Sequence, residues 1–247
     1  ALAVWPRAAI RAERVGALAG ALAVDAEIVR PGLRLADFRL AAFDMDSTLI
    51  TIECVDEIAD YVGRKAEVAA ITEAAMRGEI ADYDESLRRR VALLAGLPET
   101  TLERVWTERV RLQPGAEALV AGLKAAGLRT LVVSGGFTFF TERLRARLGL
   151  DVARSNLLEV EHGRLTGRLV GPIVNAERKQ RIVEQACAQL GCVPSQAIVV
   201  GDGANDLRMM SIAGLSVAFH AKPIVREETP HAINWCGPDA ILNFFEG

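Results

Sequence analysis

Leu40-Ala41-Ala42-Phe43-Asp44-Met45-Asp46-Ser47-Thr48 is the stretch on which the fold turns. Its apolar opening reads as a buried strand, expected over 40–46. Side chains two apart on a strand point the same way, so Asp44 and Asp46 emerge together at its C-terminal end. At ~4 Å and an effective dielectric of ~20, two carboxylates repel by about 4 kcal/mol. A cation or a proton must offset that repulsion. One acid held as an anion and its neighbour held protonated make a nucleophile and a general acid. Leu49 and Ile50 return to apolar character, which sets the pair apart from a solvated acidic tail.

Downstream, residues 54–112 show no strand pattern. Helical runs over 55–62, 66–76, 83–95 and 99–111 are broken at Gly63, Gly78 and Gly96-Leu97-Pro98, which predicts a small helical insertion. Strands and helices then alternate. A helix after Pro114-Gly115 ends at Gly127, and a strand over 128–133 closes on Ser134-Gly135-Gly136. A helix over 137–148 and a hairpin over 157–161 and 164–170 follow. A helix over 176–190 leads to a strand over 197–200 that ends in Gly201-Asp202-Gly203. Such alternation implies an α/β fold, a Rossmann-like parallel sheet with helices on both faces. Ligands of these sheets sit beyond the strands' C-terminal ends, where the polar clusters at 44–46, 134–136 and 202–206 coincide.

The chain has 247 residues, 51% hydrophobic and 25% charged, with a net charge of −3. That is a soluble globular composition without the basic footprint of a nucleic-acid binder. Cys54, Cys187, Cys192 and Cys236 show no metal spacing and read as reduced core thiols of a cytoplasmic protein. The apolar run 15–24 follows three arginines like a leader, but it is too short to span a bilayer and reads as part of a helix over 8–24. No transmembrane segment is expected.

Asp44, Asp46 and Asp202 are hard oxygen donors suited to Mg2+. Ser134-Gly135-Gly136 offers a hydroxyl and free backbone N–H groups before a helix, which suits phosphate. Arg178, Lys179 and Arg181 open the helix over 176–190, and spacing does not choose which of them meets a phosphoryl group. Glu53 follows the acidic loop. Arg90 shares a helix face with Tyr83, Leu87 and Leu94. Facing one pocket, Glu53 and Arg90 would suit an ammonium and a carboxylate, hence an amino acid; a salt bridge within the insertion is the equal alternative. Met76 and Tyr83 could close that pocket, but they read first as plain core. His162, His220 and His231 carry no assigned chemistry, and the tryptophans form no stacking platform.

Asp44-Met-Asp-Ser-Thr48, Ser134-Gly-Gly136, Lys179 and Gly201-Asp-Gly-Ala-Asn-Asp206 resemble, in order, the four motifs of the haloacid dehalogenase superfamily. Glu53-Cys-Val-Asp-Glu-Ile58, Met76-Arg-Gly78, Ser86-Leu-Arg-Arg-Arg-Val91 and Phe137 narrow the resemblance to its phosphoserine phosphatase branch. The resemblance implies a core over 39–53 and 113–247, a helical-bundle cap over 54–112 inserted after the first strand, and residues 1–38 as a possible remnant of a regulatory domain. It implies that Asp44 is the nucleophile and Asp46 the acid and base. Mg2+ would be held by Asp44, the Asp46 carbonyl and Asp202, with Asp206 in its outer shell. Ser134, Gly135, Lys179 and Asn205 would hold the phosphoryl group or substrate, and Glu53 and Arg90 the amino-acid end. The substrate would be O-phospho-L-serine in the last step of L-serine biosynthesis, with no nucleic-acid or membrane partner and a possible homodimer. The rival expectations are a related phosphatase or phosphomutase for another small metabolite, and a non-catalytic phosphoserine-binding module.

Overall fold

A computed structural model describes residues 19–76, 79–80 and 82–246. Most of the helix expected over 8–24 lies outside them, as do Arg77-Gly78 and the Met76 side chain of the expected family motif; residues 19–22 are helical. Strand β1 (Leu40–Phe43) is buried at all four positions. A strand so enclosed must be central, and β1 pairs in parallel with β2 (Arg129–Phe137) on one side and β5 (Ala197–Gly201) on the other. Its side chains alternate between two layers. Ala41 and Phe43 join one apolar cluster and Leu40 and Ala42 another.

Among the described residues the sheet has seven strands in the order β4-β3-β2-β1-β5-β6-β7. Strands β3 (Val152–Glu161), β6 (Leu215–Phe219) and β7 (His231–Ile233) run parallel to β1; β4 (Arg164–Val170) is the antiparallel arm of the expected hairpin. The sheet is therefore mixed at one edge, and β2 continues as strand through Ser134-Gly135-Gly136.

The insertion between β1 and β2 holds helices α1 (Cys54–Asp60), α2 (Lys65–Met76), α3 (Tyr83–Ala92) and α4 (Thr100–Glu108). Val55, Ile58, Val68, Leu87, Val91, Leu102 and Val105 pack into the same cluster as Phe43. The Asp82 carboxylate starts α3 by accepting the Asp84 N–H. Helices α5 (Ala116–Ala125) and α6 (Thr138–Leu148) cover that layer of the sheet. Helices α7 (Ala176–Gln189) and α8 (Leu207–Ser211) cover the other, and α9 (Pro223–Glu228) follows β6.

The four cysteines are free, but only Cys54 and Cys187 are buried; Cys192 is half-buried and Cys236 exposed, so the core reading holds for two of them. Among the described residues no helix is long and apolar enough to cross a membrane.

Candidate active site

Asp44 continues the ladder beyond β1: its N–H donates to the Val200 carbonyl at 3.0 Å. Three residues on, Ser47 adopts a left-handed backbone (φ 57°), an uncommon state for a residue with a Cβ. The chain turns there, and the N–H groups of Leu49 and Ile50 return to the Met45 carbonyl. Asp202 follows β5, the neighbour of β1, so three adjacent strands deliver Asp44, Ser134 and Asp202 to one edge of the sheet.

Helix α7 supplies the cation. Asn175 caps it by accepting the Arg178 N–H at 3.0 Å. With that start, Lys179, Val183 and Cys187 lie on the buried stripe. The fully buried Lys179 ammonium donates to Asp44 Oδ1 and Asp206 Oδ1, each at 2.7 Å. Arg178 and Arg181 stay exposed, and Arg181 pairs with Glu177. Burial disfavours the charge on Lys179, but Asp206 and Asp44 outweigh it and hold its pKa above the usual lysine range.

The neighbouring carboxyls are held above their usual range. Burial, then Glu53 and Asp44, push the Asp46 carboxyl well above the usual range, against the Cys54 N–H donated to Asp46 Oδ1 at 3.1 Å. Asp46 therefore keeps its proton to higher pH than a free carboxyl. Burial, then Asp44 and Asp206, push Asp202 up to about 8. Burial also raises Glu53, opposed by the Ser47 hydroxyl that donates to it at 2.8 Å.

Carboxylate oxygens of Asp44, Asp202 and Asp206 lie within 4.8 Å of one another, all buried. A hard divalent cation fits this donor set and relieves its repulsion. Asp206 has both oxygens engaged, one by Lys179 and one by the Gly203 N–H at 3.1 Å, which suits a supporting position. Asp202 Oδ1 accepts from the Thr48 hydroxyl at 3.2 Å.

The Ser134 hydroxyl accepts the Gly136 N–H at 2.8 Å. Two glycines are required there by close approach. A methyl on Gly136 would come within 2.7 Å of Asp46 Oδ2, and one on Gly135 would overlap the Tyr83 hydroxyl. Tyr83 thus reaches from α3 onto the Ser134-Gly135 strand and is part of the site rather than plain core. Asn156 fixes the strand from behind: its amide donates to the Gly135 carbonyl at 2.7 Å and accepts the Val174 N–H at 2.8 Å. The Asn205 side chain folds against Gly203, where a methyl would overlap its Oδ1. Among the described residues no ion pair joins Glu53 to Arg90. The Arg90 Nε donates to the Ser86 carbonyl at 3.4 Å, and the guanidinium opposes the burial-driven rise of Asp56.

Thr48, Asn156 and Lys222 are additions to the expected set. The Lys222 N–H donates to the Asp202 carbonyl at 3.1 Å, and its exposed charge acts on Glu53 and Asp202. An asparagine within a strand and a lysine after one carry no local signal of such contacts.

The model of haloacid dehalogenase-like hydrolases matches residues 41–211, which hold all four acidic, serine–glycine and lysine elements of this edge. The chain belongs to the haloacid dehalogenase-like hydrolase family. This hydrolase is 61% identical over 219 residues to a phosphoserine phosphatase of Polaromonas sp., covering 87% of the chain and 93% of the relative. It superposes on the unliganded crystal structure of a probable phosphoserine phosphatase from Vibrio cholerae with a TM-score of 0.82 at 41% identity, over 93% of this chain and 70% of that one. A structure described as a phospho-aspartyl intermediate analogue of phosphoserine phosphatase aligns with a TM-score of 0.79 at 39% identity, over 85% of this chain and 99% of the other.

Proposed function

We propose that this hydrolase converts O-phospho-L-serine and water to L-serine and phosphate, with Mg2+ as its metal. The observation that carries the reading is the buried Asp44–Lys179–Asp206 arrangement beside an Asp46 that retains its proton. Relatives named phosphoserine phosphatase, of which 93% is covered, supply the substrate.

In the first displacement an Asp44 oxygen attacks phosphorus in line and the bond from phosphorus to the seryl oxygen breaks. Asp46 gives its proton to that departing oxygen. In the second, the Asp46 carboxylate takes a proton from water, the water oxygen attacks phosphorus, and the bond to Asp44 breaks. Asp44 is restored and Asp46 is again protonated. Lys179 and the Ser134-Gly135 N–H and hydroxyl groups stabilise the phosphoryl oxygens, and Asn205 assists. Asp44, the Asp46 carbonyl and Asp202 would hold Mg2+, which would supply positive charge against those oxygens. Glu53 takes the substrate ammonium and Arg90 its carboxylate.

On this reading residues 39–53 and 113–247 form the catalytic core and 54–112 the cap, and the reaction is the cytoplasmic last step of L-serine biosynthesis. Asp44→Asn tests it. Turnover of phosphoserine should fall below detection in a phosphate-release assay, while the circular dichroism spectrum stays unchanged. Full activity in that variant ends the proposal.

A further inference from the structure

We propose that a groove on the far side of α3 from Arg90 binds a small organic dianion, one bearing a phosphate or a pair of carboxylates, and clamps the helical insertion to the sheet. The groove has a volume of about 710 Å³ and is lined by Asp84 and Arg88 of α3, Arg168 of β4, and Asn175, Arg178 and Arg181 at the start of α7. That volume suits a metabolite rather than a bare ion. None of Asp44, Asp46, Lys179 or Asp202 lines it. The separation follows from helix geometry. At 100° per residue, positions 84, 88, 91 and 92 form one stripe of α3, and 83, 86 and 90 lie on the other side.

Four guanidinium groups line this groove against two carboxylates, Asp84 and Glu177. Their pairing is uneven. Glu177 holds Arg181, and Glu159 and Glu161 hold Arg168. Arg88 reaches Asp84 only at 3.9 Å, and the Arg178 side chain has no partner among the described residues. One under-used guanidinium therefore belongs to the insertion and one to the sheet side. A planar guanidinium fork matches phosphate and carboxylate oxygens, so a ligand with two anionic ends can engage both.

The same junction already carries a polar tie. The Asn175 amide donates to Asp84 Oδ1 at 3.0 Å while its own oxygen caps α7. A dianion between Arg88 and Arg178 adds a second tie across that seam. It engages both parts at once and so favours their contact.

The Mg2+-loaded full chain should be titrated at low ionic strength with sodium sulfate, a phosphate mimic, and with sodium succinate, a dicarboxylate. The readouts are calorimetry and amide exchange. One of the two should bind with a Kd of about 1 mM or tighter and slow exchange across α3 and residues 171–176. Arg88→Ala/Arg178→Ala should weaken that binding by about tenfold or more, with kcat/KM in anion-free buffer kept within about twofold. Arg178→Ala alone should show a smaller loss of the same kind. Sulfate binding alone assigns the groove to phosphate esters, and succinate binding alone to dicarboxylates. Binding that survives unchanged in the double variant belongs to the catalytic edge and overturns the proposal, as does no binding of either anion.

Discussion

Stripped of metal, the protein should lose stability as pH rises, and Asp202 should account for a defined share of that loss. Its carboxyl is 8% exposed and is pushed up to about 8 by burial and by Asp44 and Asp206. In the unfolded chain the same group titrates near 4. Between those values the native state holds one more proton than the unfolded state. A carboxyl raised on folding therefore contributes its stability in full below the unfolded value and loses it as pH climbs through the folded one. The slope is about 1.4 kcal/mol per pH unit, and from about pH 5 to about pH 8 it integrates to roughly 3–4 kcal/mol.

Urea unfolding in chelator, followed by circular dichroism across that window, measures the quantity. The comparison is with Asp202→Asn, whose amide oxygen still accepts the Thr48 hydroxyl. Asp46 and Asp206 are raised as well and tilt both proteins the same way, so the difference between the two curves reports Asp202 together with its coupling to these neighbours. Added Mg2+ should flatten the wild-type curve and raise it by about 3 kcal/mol at a hundredfold excess over its Kd, with a smaller effect on the variant. Parallel pH curves for the two proteins, or a wild-type curve indifferent to Mg2+, would refute the account of the acidic cluster.

Arg90→Ala should lower kcat/KM on phosphoserine by roughly 30–150-fold, the worth of a charge-assisted bond of about 2–3 kcal/mol, and leave p-nitrophenyl phosphate nearly untouched. Equal losses on both substrates would remove Arg90 from the amino-acid pocket. Gly135→Ala should cost most of the activity because its methyl overlaps the Tyr83 hydroxyl. Adding Tyr83→Phe should restore part of it, since the nearest remaining Tyr83 atom lies at an ordinary 3.5 Å. No rescue in a steady-state assay would place the cost elsewhere. Asn156→Ala leaves the Gly135 carbonyl and the Val174 N–H without their partner and should destabilise by about 2–4 kcal/mol in thermal unfolding.

The central sheet was legible because apolar runs of four to six residues ending in polar clusters have few other readings; β1, expected over 40–46, stops at Phe43 because the chain turns at Ser47. Lys179 shows a signal that spacing among basic residues missed. Once Asn175 is taken as the cap, Lys179 falls at i with Val183 and Cys187 at i+4 and i+8, on the apolar stripe, whereas Arg178 and Arg181 do not. A lysine on an apolar stripe needs buried carboxylates, and Asp44 and Asp206 meet it. Tyr83 ranked low as a pocket residue for the opposite reason. A tyrosine on an insertion helix looks like packing, and only the tertiary approach of α3 to β2 brings its hydroxyl against Gly135. Asn156 sits mid-strand with no local cue, because its two partners come from segments that the sheet brings together.

Asp44 and Asp46 are one residue type, two positions apart, on one strand end, and the fold still separates their chemistry. The difference lies in what each is given. Asp44 receives the Lys179 ammonium at 2.7 Å, and Lys179 in turn is fixed by Asp206. Asp46 receives one backbone N–H, from Cys54, and faces Glu53 and Asp44, both of which oppose its charge. A carboxylate beside a cation is the better nucleophile-bearing group, and a carboxyl held neutral by burial is the better acid. The proposed reaction needs that order and not its reverse. It follows that exchanging the two environments matters more than exchanging the two side chains. Glu at either position keeps the carboxyl but displaces it by one methylene from the Lys179 and Cys54 partners that fix it now, so activity should fall steeply in a phosphate-release assay even though no functional group is lost.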